Sequence, residues 1–122
     1  MTALLVVLGA MVGAPARYLI DLHVQSRHRS VFPWGTFTIN IAGSFVLGVV
    51  AAAVSSKGAP EWLYVLVGTG LCGAMTTFST FGFETVRLVE DGEWSAAIAN
   101  AAGSLAVGLA AVAFGWWLVV TL

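Results

Sequence analysis

Charge is scarce in this chain: only 9% of its 122 residues are Asp, Glu, Lys or Arg. Soluble domains carry roughly a quarter, so a water-facing surface around the whole molecule is excluded. The five basic residues form no run, which leaves no footprint for nucleic acid. Cys72 is the only cysteine, so an internal disulfide and any Cys-based metal cluster are excluded. Its place in an apolar run reads as inert packing. His23 and His28 sit in a basic connector without a partner at metal-ligand spacing, and no nucleophile, base and acid fall together. We therefore expect no enzyme.

What the chain has in abundance is oil. It is 59% hydrophobic with a mean hydropathy of +0.94. Residues 1–16, 30–56, 62–83 and 94–122 contain no charged side chain. A bilayer span needs ~20 mostly apolar residues, so each of the last three gaps holds one. The first gap is short, and its helix must run on through Arg17. The pattern predicts an all-α membrane protein, residues 1–122 forming a single domain of four helices at 2–22, 34–54, 62–86 and 94–121. No basic leader precedes Leu4, which reads against a secretory signal peptide.

Each segment carries its own irregularity. In the first, Gly9 and Gly13 make a small-xxx-small face for close helix approach, and Pro15 is expected to kink the helix. Arg17 is costly inside hydrocarbon; it either pairs with Asp21 one turn on or snorkels to the headgroups. Pro33 and Trp34 open the second segment as first-turn proline and interfacial anchor. There Thr36, Asn40 and Gly43 share a face, with Ser44 close by. Asn40 is either glue between helices or a polar position on a permeation path. The fourth segment has Asn100, Ser104 and Gly108 in a thin polar stripe and ends on the Trp116-Trp117 belt.

The third segment is the unusual one. Gly73-Ala-Met-Thr-Thr-Phe-Ser-Thr-Phe81 places four hydroxyls and two phenylalanines in nine residues of a membrane span. Such hydroxyls compete for backbone bonds, and β-branched threonines crowd the preceding turn. The spacing predicts a helix interrupted at Thr76-Thr77. Freed backbone groups at that depth are tolerated only where protein buries them, or where they line a cavity or hold an ion. Phe78 and Phe81 share one side, and Glu84 is placed to pair with Arg87. Amide and hydroxyl donors with almost no charge suit passage of a small ion better than its capture. Phe ring edges are positive and can solvate an anion.

Three motifs together resemble the CrcB/Fluc fluoride channels: Gly13-Ala-Pro-Ala-Arg17-Tyr18, Gly35-Thr36-Phe37-Thr38-Ile39-Asn40-Ile41-Ala42-Gly43-Ser44, and the third-segment run ending at Phe81. The resemblance covers essentially the whole chain. It implies a passive fluoride-selective channel in the inner (plasma) membrane that exports fluoride from the cytoplasm and confers fluoride resistance. It further implies an antiparallel, dual-topology-type dimer with two pores and a structural Na⁺ at the subunit interface. By matching position, Phe78, Phe81 and Asn40 correspond to pore-lining residues, with Thr36, Ser79, Thr80 and Ser104 as associated hydroxyls. The carbonyls of Gly73 and Thr76 correspond to the Na⁺ ligands, and Arg17 to a structural or electrostatic arginine. The chain departs from some relatives at Asn100, where they have a pore tyrosine.

Basic residues at the connectors bear on assembly. Arg27, Arg29 and Arg87 lie on one side against Lys57 on the other, a bias that allows one preferred orientation. A homodimer needs both orientations; an oppositely oriented paralogue suits a single one. Two rival readings remain from the sequence. A four-helix small multidrug exporter would need a membrane-embedded glutamate in its first helix, which this chain lacks. A non-conducting scaffold or accessory subunit would use its polar residues only to bind helices together.

Overall fold

Long uncharged segments in a bilayer must satisfy their own backbone, and helices do so. The computed structural model describes residues 1–122 and is all-helical. Four spans are long and apolar enough to cross a membrane, at Thr2–Ser26, Trp34–Ser56, Glu61–Glu90 and Trp94–Thr121. We label the first two α1 and α2. The third span is two pieces, α3 (residues 61–75) and α4 (Phe78–Glu90), and the last span is α5 (Trp94–Thr121). The expected spans agree at their cores and differ at their ends by at most four residues.

Pro15 stands inside a continuous α1. Pro33 is the residue before α2 rather than its first turn; it accepts the Phe37 amide at 3.0 Å. Trp34 is anchored on the connector through its Nε1–H to Ser30 at 3.0 Å and through the Phe32 ring at 4.6 Å. The tight links after α2 and α4 turn on Gly58 and Gly92, at φ 71° and 76°, where a side chain would be strained.

Glycine sets the packing. A Cβ at Gly9 or Gly13 would overlap the backbone of Leu66 or Leu71, so α1 and α3 touch main chain to main chain. The face expected from Gly9 and Gly13 is real. A second seam joins α2 to α5, where Gly48 lies on the Val112 backbone and Gly115 on the carbonyl of Phe45. Only 18 of the 122 residues are buried. A single copy therefore has little interior, and most of its large apolar side chains face outward.

Within α3, Tyr64–Cys72 is π-helical, between single α-turns at Glu61–Leu63 and Gly73–Met75. The sequence reading expected an ordinary helix there. Threonine then ends the first half, as expected. Thr76 and Thr77 are both extended, at ψ 157° and 123°, and Thr77 caps α4 by accepting the Thr80 amide at 3.2 Å.

Neither the Glu84–Arg87 pair nor the Arg17–Asp21 pair, one of two alternatives for Arg17, forms. Asp21 turns its carboxylate to Gly35, where a Cβ would collide with Oδ1, and not to Arg17. Glu84 accepts the Thr36 hydroxyl at 2.9 Å rather than meeting Arg87. For Glu84 a group across the helix interface replaces the one along the helix, while the Gly35 amide beside Asp21 goes to Gln25 Oε1 at 3.2 Å.

Candidate functional site

The interruption leaves backbone groups that a continuous helix would have paired. Asn40, one helix away on α2, takes both polar atoms of Thr77. Its Nδ2 donates to the Thr77 carbonyl at 3.2 Å, and its Oδ1 accepts the Thr77 amide at 2.9 Å. The amide side chain thus behaves like a neighbouring strand at a residue that has left the helix. Gly43, one turn along, makes the approach possible, because a Cβ there would run into the Thr76 methyl. Ser44 is spent on its own helix, donating to the Asn40 carbonyl at 2.7 Å.

Diverting the Thr77 amide has a consequence at the end of α3. In an unbroken helix that amide would bond the carbonyl of Gly73. The carbonyl of Thr76 receives no hydrogen bond from the chain, since the next available donor, the Thr80 amide, goes to Thr77 Oγ1. Thr76 instead turns its amide and its hydroxyl onto the Cys72 carbonyl, each at 2.8 Å.

Beside the break lies an open cleft of about 360 Å³. Asn40, Gly43, Ser44, Leu47, Gly68, Cys72, Gly73, Thr76, Thr77, Phe78, Phe81, Ser104 and Leu105 line it. None of these side chains is charged. Phe78 and Phe81 stand with ring centroids 5.8 Å apart, tilted by 46°. Phe78 is 84% exposed, a large ring left without cover by its own chain.

A polar chain runs from this cleft between α4 and α5. Ser104 Oγ donates to Asn100 Oδ1 at 3.3 Å, Asn100 Nδ2 to Thr85 Oγ1 at 2.8 Å, and Thr85 Oγ1 to the Phe81 carbonyl at 2.8 Å. Asn100 is 1% exposed, so each of its bonds replaces water it cannot reach. A separate pair, Thr36 with Glu84, leaves Glu84 Oε2 buried without a partner.

Of the residues singled out from sequence, the fold brings Asn40, Phe78, Phe81, Ser104, Gly73 and Thr76 to one cleft. Thr36, Ser79, Thr80 and Arg17 do not line it. Thr36 is buried on Glu84. Ser79 and Thr80 both share hydrogen bonds with the Thr77 hydroxyl, at 3.3 and 3.2 Å. Sequence reasoning passed over Leu47, Leu105 and Thr85 and read Cys72 as packing only. Thr85 follows Phe81 by one turn on the polar side of α4, which was the available signal. No group of His, Cys, Asp or Glu is placed to hold a metal, so a cation here could be held only by neutral oxygens.

Residues 4–116 match the family described as CrcB-like protein, Camphor Resistance (CrcB). The chain belongs to the CrcB family. It is 56% identical over 117 residues to "Fluoride-specific ion channel FluC 1" of Streptomyces avermitilis, covering 96% of this chain and 94% of that one. The protein of the same name from Frankia casuarinae is 52% identical over 120 residues, covering 94% and 93%. That from Thermobifida fusca is 41% identical over 123 residues, covering 97% and 99%. With four helices long and apolar enough to cross a membrane, this CrcB-family chain is a multi-pass membrane protein.

Proposed function

We propose that this chain forms a passive, fluoride-selective channel, acting in the cell's inner (plasma) membrane to export fluoride and confer resistance to it. One observation carries the reading: a cleft at a broken membrane helix, lined by amide and hydroxyl donors and two phenyl rings, with no charged side chain. A fixed cation in such a path would retain an anion, whereas weak repeated donors let it enter and leave. Asn40, Phe78, Phe81 and Ser104 are the pore contacts. Thr36, Ser79 and Thr80 act from beside the path, by holding Glu84 and the Thr77 cap. Arg17, half-buried on α1, has a structural or electrostatic role. The names of the relatives, all ion channels for fluoride, support the same reading.

The working unit is an antiparallel dimer. Support comes from the uncovered Phe78 and from Gly73, whose Cα looks onto open space in the single chain. A structural Na⁺ fits the donor set at the break, because the Gly73 carbonyl has lost its usual helical donor and the Thr76 carbonyl is free. Backbone oxygens at an unwound helix suit a small hard cation. When bound, the ion would satisfy these carbonyls and join the two subunits.

Fluoride efflux from liposomes holding only this protein tests the proposal, with chloride efflux measured in parallel. Fast fluoride release without chloride release is expected. If neither ion leaves, co-reconstitution with an oppositely oriented paralogue separates a heterodimer from a wrong assignment. Exchanging Na⁺ for a bulky organic cation during purification is expected to weaken the dimer.

A further inference from the structure

An asparagine amide can present either a donor or an acceptor, and the two faces differ by a simple flip. In this chain the flip is decided by the backbone of Thr77. A peptide N–H can only donate, so the atom facing it must be Oδ1; a carbonyl can only accept, so the atom facing it must be Nδ2. Both backbone groups of Thr77 are consumed in one orientation. The amide oxygen is thereby held against the main chain. Nδ2 carries two hydrogens, and the Thr77 carbonyl takes one. The second has no acceptor in the protein, on a residue that lines the cleft.

We propose that the paired Thr77 bonds lock the Asn40 amide in one flip state, so that an ion in the cleft meets an N–H and never the amide oxygen. The Thr77 backbone is then a positioning element for anion selectivity. Without the clamp, a cation could be welcomed by the same residue simply by turning it over. Gly43 belongs to the same device, because its missing Cβ lets α2 come close enough for the clamp to close. The inference rests on the fluoride-channel reading, which supplies the ion.

The direct test removes one hydrogen. The α-hydroxy acid counterpart of threonine at position 77 turns the amide into an ester, deleting the N–H and keeping the side chain; dimer mass is verified alongside, because the ester also weakens the Thr76 carbonyl. Fluoride efflux is expected to fall about tenfold, the scale of one net hydrogen bond, and the reversal potential in a fluoride gradient to move toward cation permeability. Unchanged efflux and reversal potential would overturn the proposal. Asn40→Asp is the companion variant: it still accepts the Thr77 amide but has no hydrogen to give. With the dimer mass verified, it should lose at least about a hundredfold of efflux, since the donor is gone and a negative charge stands in its place. Wild-type efflux from this variant would contradict the proposal.

A ligand-only role for Asn40 is separated by hydrogen exchange at the Thr77 amide. Asn40→Ala should accelerate it about tenfold, whereas a residue that merely touches the ion would leave it unchanged. If wild-type protein conducts no fluoride, the channel reading fails; if it conducts and the ester variant matches it, only the clamp fails.

Discussion

The two halves of the third span are built on opposite plans. α3 is pressed onto α1 through glycine, with Gly70 against Val6 and Gly9, and Gly13 against the Leu71 backbone. α4 stands off from α1, packs on α5, and carries the ring that is 84% exposed. The first half is fixed by main-chain contact that no side chain can adjust. The second half presents side chains to a cleft. One extended dipeptide, Thr76-Thr77, joins them and lets each keep its own direction. A continuous helix would have to serve both tasks on one axis.

That contrast can be broken most severely from the α3 side. Gly13→Val drives a branched side chain into the Leu71 backbone, where nothing can yield. A loss of about 3 kcal/mol or more is expected, seen as failure to recover monodisperse protein from detergent. A smaller effect belongs to the α4 side. Asn100→Ala removes the link between Ser104 and Thr85 and should cost about 1–2 kcal/mol, read as a lowered unfolding midpoint with the dimer still formed. The smallest intrinsic effect is at the junction. Gly73→Ala adds a methyl that meets nothing within 4 Å in the single chain, so the subunit fold should change by less than about 1 kcal/mol. Dilution-induced dissociation of the proposed dimer should nevertheless increase, and unaltered dissociation would place the partner elsewhere.

Much of this was legible in the sequence, and the boundary between what was and was not has a physical basis. Uncharged gaps gave the spans because hydrocarbon penalises charge wherever it falls. The Thr76-Thr77 interruption was readable because hydroxyl competition and β-branching are local. Gly9 and Gly13 announced close packing by their spacing. The clamp was not readable: Asn40 and Thr77 are 37 residues apart in sequence, and which of Asn40's two readings applied depends on how α2 lies against the break. In the structure Asn40 ties α2 to the break and also lines the cleft. The π-helical stretch, which packs on α1, had no local signal beyond the run Gly68-Thr69-Gly70. The pairs Arg17–Asp21 and Glu84–Arg87 followed helix spacing, but the fold gives Glu84 the Thr36 hydroxyl and sets the Asp21 carboxylate close against Gly35.

The central claim is that the cleft beside the break is the path for fluoride. Efflux through Phe78→Ile and Phe81→Ile, each measured beside wild type with the dimer mass verified, tests it most directly. Ile keeps the bulk and apolarity and removes the ring edge. The account predicts intact dimers and fluoride release reduced to the leak of protein-free liposomes in both variants. Release at the wild-type rate from both would contradict it.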